Sequence, residues 1–256
     1  MIIDNASALA CMKQDVEYYY YDIADIKCMS DDITVFSKSC GDLTNHSFVQ
    51  VTRRDDEIFV EVHTDDLALI SEAIFFAKTN GNLPILLSVD YDIDVSFIRN
   101  NFPIELCEEQ DGKHWGIFGA IKISDAIGKS DIIVSAPCQD DIDSISNLPD
   151  KEWAFLPRRI KLIKNILIAK KGNDLVGYLV YDSAEAGHYD IVMIFVHPNY
   201  RRNSAASTLI KGFATECAKN NGIPYYVCAN SASSAKLAEA LNIKKVRKET
   251  NIYKLK

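Results

Sequence analysis

Nowhere does the sequence hold the roughly 18 to 20 consecutive apolar residues that crossing a bilayer requires. Its opening, Met1 to Ala10, lacks the basic end and long apolar stretch of a signal peptide. A membrane partner is therefore not expected, and the chain reads as cytoplasmic. The seven cysteines (Cys11, Cys28, Cys40, Cys107, Cys138, Cys217, Cys228) include no C-x-x-C pair and no Cys/His spacing suited to zinc. Free buried thiols are the expected state, with no metal site. Glycine (11) and proline (7) are too few for collagen-like or low-complexity sequence.

What is present is the composition of a packed globular protein: 48% hydrophobic, 25% charged and 10% aromatic residues. At roughly 150 residues per domain, 256 residues leave room for about two domains. The net charge of -8 hides a division. Residues 1–150 carry 28 acidic and 10 basic side chains, and residues 151–256 carry 8 acidic and 18 basic, so the halves stand at -18 and +10. Such asymmetry marks two units with unlike partners or ligands.

A weak internal repeat supports two units. Ala77-Lys78-Thr79-Asn80-Gly81 precedes Leu83-Pro84-Ile85-Leu86-Leu87, and Ala218-Lys219-Asn220-Asn221-Gly222 precedes Ile223-Pro224-Tyr225-Tyr226-Val227. Each reads as an amphipathic helix closed by Asn and Gly, which tolerate the left-handed conformation, followed by a buried strand. The helices are expected over Leu67 to Lys78 and Ser204 to Lys219, on the spacing of Leu67, Ile70, Ala73, Ile74, Ala77 and of Ala206, Leu209, Ile210, Phe213, Cys217. A strand ending in Val-His precedes each helix, Ile58 to His63 and Ile191 to His197. A further helix follows, Val95 to Asn101 or Ser233 to Leu241, and then two strand-like runs. Lys122 to Asp131 reads as a linker, and Ile132 to Ala136 as a strand. Gln139 to Leu148 reads as a short helix, and the runs Asn165 to Ala169 and Gly177 to Tyr181 as paired strands. The first 50 residues yield no clear element.

The stretch Ile194 to Ile210 holds the chemistry. A strand stops at Pro198, a loop carries Arg201 and Arg202 among small residues, and a helix opens on Ser204, Ala205, Ala206 and Ser207. Helix N-terminal amides, the positive end of the dipole and guanidinium groups together make an anion cradle suited to phosphate.

These residues, Val196-His197-Pro198-Asn199-Tyr200-Arg201 followed by Arg201-x-x-Ser204-x-Ala206, resemble the signature of the GCN5-related N-acetyltransferases (GNAT). Val134-Ser135-Ala136 with Asp140-Asp141-Ile142 resembles the family's opening strand and helix, and Asp174 to Leu179 the strand before the signature. Val227-Cys228-Ala229-Asn230 with Ala235-Lys236-Leu237-Ala238 resembles its late strand and helix. The resemblance spans about residues 131–256.

It implies an α/β (α+β) fold of tandem GNAT-like domains, each a mixed, mostly antiparallel central sheet flanked by helices. Residues 126–256 would be the acetyltransferase domain. Residues 1–125 would be a degenerate copy without a CoA site, because Thr64-Asp65-Asp66-Leu67 stands where the other copy has its arginines and would repel a pyrophosphate. The implied cofactor is acetyl-CoA, released as CoA. The backbone of Ile194, Phe195 and Val196 would pair with the pantetheine arm, and Arg201, Arg202, Asn203, Ser204, Ala205, Ala206 and Ser207 would hold the pyrophosphate. Asn230 and Ser233 would contact the pantetheine. The acceptor would be a primary amine of a small molecule or peptide, attacking the thioester directly.

Asp190, six residues before Val196, is the candidate base, read against a solvated strand start. His188 and His197 are weaker candidates, and His197 reads as a surface residue at the strand end. Two departures favour an alternative, an inactive member that binds CoA or a protein partner. Serine replaces the loop glycine at Ser204, tolerable only if the backbone there needs no positive φ. Ala238 stands where many members carry a proton-donating tyrosine. A nucleic-acid partner is not expected, since the basic residues are not interleaved with an aromatic platform.

Overall fold

The computed structural model describes residues 1–256 except 91–92, 109–115, 123–130, 155, 186, 227, 230–231 and 248–249. In chain order the first elements are β1 (Ile2–Ile3), α1 (Asn5–Met12), α2 (Tyr20–Cys28), β2 (Ile33–Phe36), α3 (Cys40–Thr44), β3 (Val49–Arg53), β4 (Ile58–Val62), α4 (Leu67–Thr79), β5 (Ile85–Asp90), α5 (Ser96–Asn101), β6 (Ile104–Glu108) and β7 (Gly116–Phe118). They are followed by β8 (Ile132–Ser135), α6 (Gln139–Ser146), α7 (Leu156–Arg159), β9 (Ile166–Lys171), β10 (Asp174–Glu185), β11 (His188–Val196), α8 (Ala205–Lys219), β12 (Ile223–Tyr225), β13 (Cys228–Ala229), α9 (Ala232–Ala240), β14 (Lys245–Arg247) and β15 (Thr250–Leu255). This is a mixed α/β fold whose two larger sheets are flanked by helices, with mostly antiparallel pairing and one parallel pair in each. Most of the linker expected over Lys122 to Asp131 falls outside the described residues.

One compact unit comprises Met1–Ile117, Ala229–Ala235 and Lys245–Lys256. Its sheet runs β1-β2-β3-β4-β5-β15-β6. The spacing read along Leu67 to Lys78 is realised: Ile70, Ala73, Ile74 and Ala77 of α4 are buried with Val60, Val62, Leu87 and Val89 of the central strands. Asp66 starts α4, its carboxylate accepting the amides of Ala68 and Leu69 at 3.0 and 3.2 Å. The segment left unread folds into α1, α2, α3 and the first three strands, around Met12, Tyr19, Ile23, Leu43 and Phe48. Its helices are short and their apolar residues crowd more than one face, so periodicity carries little signal there.

The first unit is not bounded by a single cut at residue 125. The run Thr250–Leu255 does not stay with the segment before it but forms β15, antiparallel to both β5 and β6, with Tyr253 opposite Leu87 and Leu106. Tyr253 and Leu255 are buried in the first unit's core.

The other unit comprises Phe118–Cys228 and Lys236–Lys244. Its sheet runs β12-β11-β10-β9-β8. The apolar face of α8 is buried through Leu209, Ile210, Phe213 and Cys217. Gly212 lets the helix approach β8 so closely that a Cβ there would collide with the Val134 side chain. Residues before the linker also join this unit: Ala120 bridges Tyr225, and the Ile121 amide donates to the Pro224 carbonyl at 2.7 Å.

The acidic stretch of this unit is largely answered within it. Lys170 pairs with Asp141 at 2.6 Å, Lys171 with Asp131 at 2.9 Å, and Arg158 with Asp150. The cysteine expectation needs correction, because Cys11 and Cys217 are buried whereas Cys28, Cys40, Cys107 and Cys138 are exposed. Among the described residues no helix is long and apolar enough to cross a membrane.

Candidate active site

The parallel pair of the second sheet is short. β11 and β12 hold together only at His188↔Ile223, Tyr189↔Pro224 and Asp190↔Tyr225, while β11 continues to Val196. Among the described residues no strand follows that edge further. The cause is visible on the opposite edge. Val180 pairs with Met193 and Tyr181 with Ile191, so Val192 is an extra residue, a β-bulge. A bulge bends its strand and increases the twist, and this one comes two residues after the last β11/β12 rung. Val192 and Met193 are 60% and 43% exposed. The strands thus part at their carboxyl ends, where open α/β sheets take ligands.

Beyond Val196 the chain makes a 3₁₀ turn over Pro198–Tyr200 and enters α8 through Arg201, Arg202, Asn203 and Ser204. Arg202 and Ser204 have φ of 64° and 59°. The Ser204 side chain makes no capping hydrogen bond at the start of α8. The Ser204 carbonyl accepts the Thr208 amide at 2.9 Å, and also the Thr208 and Ser207 hydroxyls. Since a helix cannot bond its first amides internally, Ala205, Ala206 and Ser207 offer N–H groups at the positive end of the dipole.

Residues 137–242 match the family model described as Acetyltransferase (GNAT) family. This segment is a GNAT domain. Among solved structures, the chain is similar to a GCN5-related N-acetyltransferase from Sphaerobacter thermophilus, at 10% identity and a TM-score of 0.53, covering 99% of this chain and 93% of that one. It is also similar to a conserved protein of unknown function from Bacteroides thetaiotaomicron, at 10% identity and a TM-score of 0.52, covering 100% and 99%. At such identity the likeness concerns the fold. No curated protein matches.

In the GNAT domain the three β11 residues expected to present backbone are half-buried. The Phe195 ring stacks on Tyr178 at 5.4 Å and lies 5.9 Å from Trp153, so its side chain serves the core. Gly177 faces Val196 across the β10/β11 pair, and a Cβ there would sit 2.5 Å from the Phe195 carbonyl oxygen. Arg201 turns back onto the strand end, its Nε donating to the Val196 carbonyl at 3.1 Å. Arg202, Asn203 and Ser204 are exposed, Ala206 and Ser207 half-buried, and Ala205 buried.

Asp190 is only 7% exposed, at the last rung before the bulge, rather than at a solvated strand start. His188 is half-buried, stacked on Tyr225 at 5.5 Å. His197 is likewise half-buried, stacked on Trp153 at 4.9 Å, which corrects its reading as a surface residue. Ser233 is exposed in the first turn of α9, on the stretch grouped with the first unit. Asn230 lies outside the described residues.

Two features escaped the sequence reading. The bulge has no signal, because Val192 is one more apolar residue in an apolar strand. Trp153 had a weak one, as one of only two tryptophans. Burial pushes the Tyr178 hydroxyl up to about 12, so it stays protonated, donating to the Trp153 carbonyl and Met193 Sδ at 3.3 Å. Ala238 is fully buried and carries no hydroxyl.

Proposed function

We propose that the protein is a cytoplasmic N-acetyltransferase that moves an acetyl group from acetyl-CoA to a primary amine of a small molecule or peptide. One observation carries this reading: the bulge at Val192 opens β11 from β12 directly beside a loop that ends on the first amides of α8, which the Ser204 side chain does not cap. These parts fit the ligand chemically. An open strand edge offers amides and carbonyls to the amide-bearing pantetheine arm. Helix amides, with Arg202, suit a pyrophosphate. Asp190, buried beside the opening, is the residue assigned to receive the amine proton, directly or through a water.

The first unit is read as a GNAT-like domain without a CoA site. There β4 and β5 stay paired from Ile58↔Ile85 to Val62↔Val89, and β3 against β4 shows no register shift. Asp65 and Asp66 stand at the start of α4, where a pyrophosphate would be repelled.

Titration with acetyl-CoA tests the reading. Saturable binding is expected, weakened by the paired change Arg201→Ala and Arg202→Ala; no binding at millimolar ligand sinks it. Thiol release over an amine panel is expected to fall at least tenfold in Asp190→Asn. An inactive CoA-binding role is favoured by Ala238, and CoA binding without thiol release from any amine would establish it.

A further inference from the structure

The loop that leads into α8 starts at His197, and the group that holds that point lies outside the loop. The His197 amide donates to the Val176 carbonyl of β10 at 3.0 Å, and from there the chain turns. The Tyr200 amide donates to the His197 carbonyl at 2.9 Å, and the Asn199 amide to His197 Nδ1 at 3.4 Å, so backbone and imidazole of one residue both serve the turn. The Tyr200 hydroxyl donates to Asp174 Oδ2 at 3.3 Å, tying the far side of the turn to the start of β10.

Trp153 reaches the same point from the segment between α6 and α7. Its ring stacks on His197 with centroids 4.9 Å apart and planes at 27°, within the spacing of favourable aromatic pairs. Its own place is fixed on two sides. The indole lies 5.9 Å from the Phe195 ring, and the Trp153 carbonyl accepts the Leu156 amide at 3.0 Å and the Tyr178 hydroxyl at 3.3 Å. Ala154, next in the chain, has a φ of 49°. Strain of that kind persists only where the surroundings over-determine the backbone, and it clusters at functional sites.

Trp153 is buried in one core with Ile145, Leu156, Ile160, Ile166 and Ile168. Filling that core requires only an apolar side chain at position 153, whereas stacking on an imidazole requires a flat one. A ligand cradle also works only if the groups behind it hold it to within about 0.5 Å.

We propose that Trp153 is a positioning residue for the acetyl-CoA cradle: its ring, stacked on His197, fixes the turn from which Arg201 to Ser207 extend. This rests on the acetyl-CoA reading above. The test compares Trp153→Leu, apolar but not flat, with Trp153→Phe, which keeps a flat ring, both in the full chain. Without ligand, hydrogen exchange at the Tyr200, Arg201 and Thr208 amides, bonded within the turn or the first turn of α8, should rise at least tenfold in Trp153→Leu, while the β9 amides beside the same core change less than threefold. Trp153→Phe should restore most of the protection. With ligand, Trp153→Leu should bind acetyl-CoA at least tenfold more weakly than the unaltered protein, and Trp153→Phe within threefold of it. Unchanged exchange at the three amides, an equal rise in β9, or undiminished acetyl-CoA affinity in Trp153→Leu overturns the proposal. If the unaltered protein binds no acetyl-CoA at millimolar ligand, the acetyl-CoA reading falls by itself, and exchange still decides whether Trp153 sets the turn. If Trp153→Leu does not fold, His197→Leu removes the other ring of the stack: the same localised rise supports the role and unchanged exchange removes it.

Discussion

Ser204 holds a left-handed backbone without the glycine that makes it easy. For a residue with a Cβ this conformation costs about 1 kcal/mol. Ser204→Gly is therefore expected to stabilise the protein by about 0.5 to 1 kcal/mol, with acetyl-CoA affinity kept. Ser204→Val should destabilise by more than 1 kcal/mol; urea melts compare the three. The sequence showed that the glycine was missing but not that the backbone demanded positive φ. Asp25 is a second strained residue. Burial, then the neighbouring Asp22, pushes its carboxyl up to about 6, with Arg54 opposing. A raised pKa in the folded state favours the protonated form, so its contribution to stability is full below about pH 4 and is lost as pH rises through 6. Asp25→Asn should then stabilise by about 1 kcal/mol at pH 7.5, discounted for partial exposure, and by nothing at pH 3.5. Equal effects at both pH values would refute that account.

At the scale of elements, two parallel pairs in one chain behave oppositely. β4 and β5 stay zipped, and β11 and β12 part after three rungs. Both follow the same strand, helix, strand order, which was legible from the Asn-Gly helix endings and the spacing of α4 and α8. The difference was not legible, because a bulge is a matter of register against β10, and register is set by partners distant in sequence. Gly177 is part of that geometry. Its replacement by alanine would push a methyl group into the Phe195 carbonyl and separate β10 from β11 at the opening. A loss of about 1 to 3 kcal/mol is expected for Gly177→Ala, with weaker acetyl-CoA binding. Thermal melts and titration of the same sample check both.

For the whole molecule, the charge contrast that first divided the chain is partly internal, since Lys170, Lys171 and Arg158 answer acids of their own unit. Ion pairs at a solvated surface add little to stability, so these explain charge balance rather than stability. The exchange of β15 matters more. Removing residues 250–256 takes Tyr253 and Leu255 out of the first core, at about 1.5 to 3 kcal/mol each, and bares the edges of β5 and β6. Hydrogen exchange in Ile85–Asp90 should then rise by two orders of magnitude or more. Unchanged protection would show that the first sheet stands without β15. Nothing in Thr250 to Leu255 names its partner, because alternating apolar residues state that a strand forms and not which strand receives it.

That strand also sets a timetable. Ribosomes add roughly 5 to 20 residues per second, so β15 follows β6 by about 7 to 28 s, after the whole second unit has been synthesised. During that interval β5 and β6 carry unpaired edges of the kind that invite aggregation. Translational pausing between them should therefore lower the soluble yield, and a chaperone that shields strand edges should restore it.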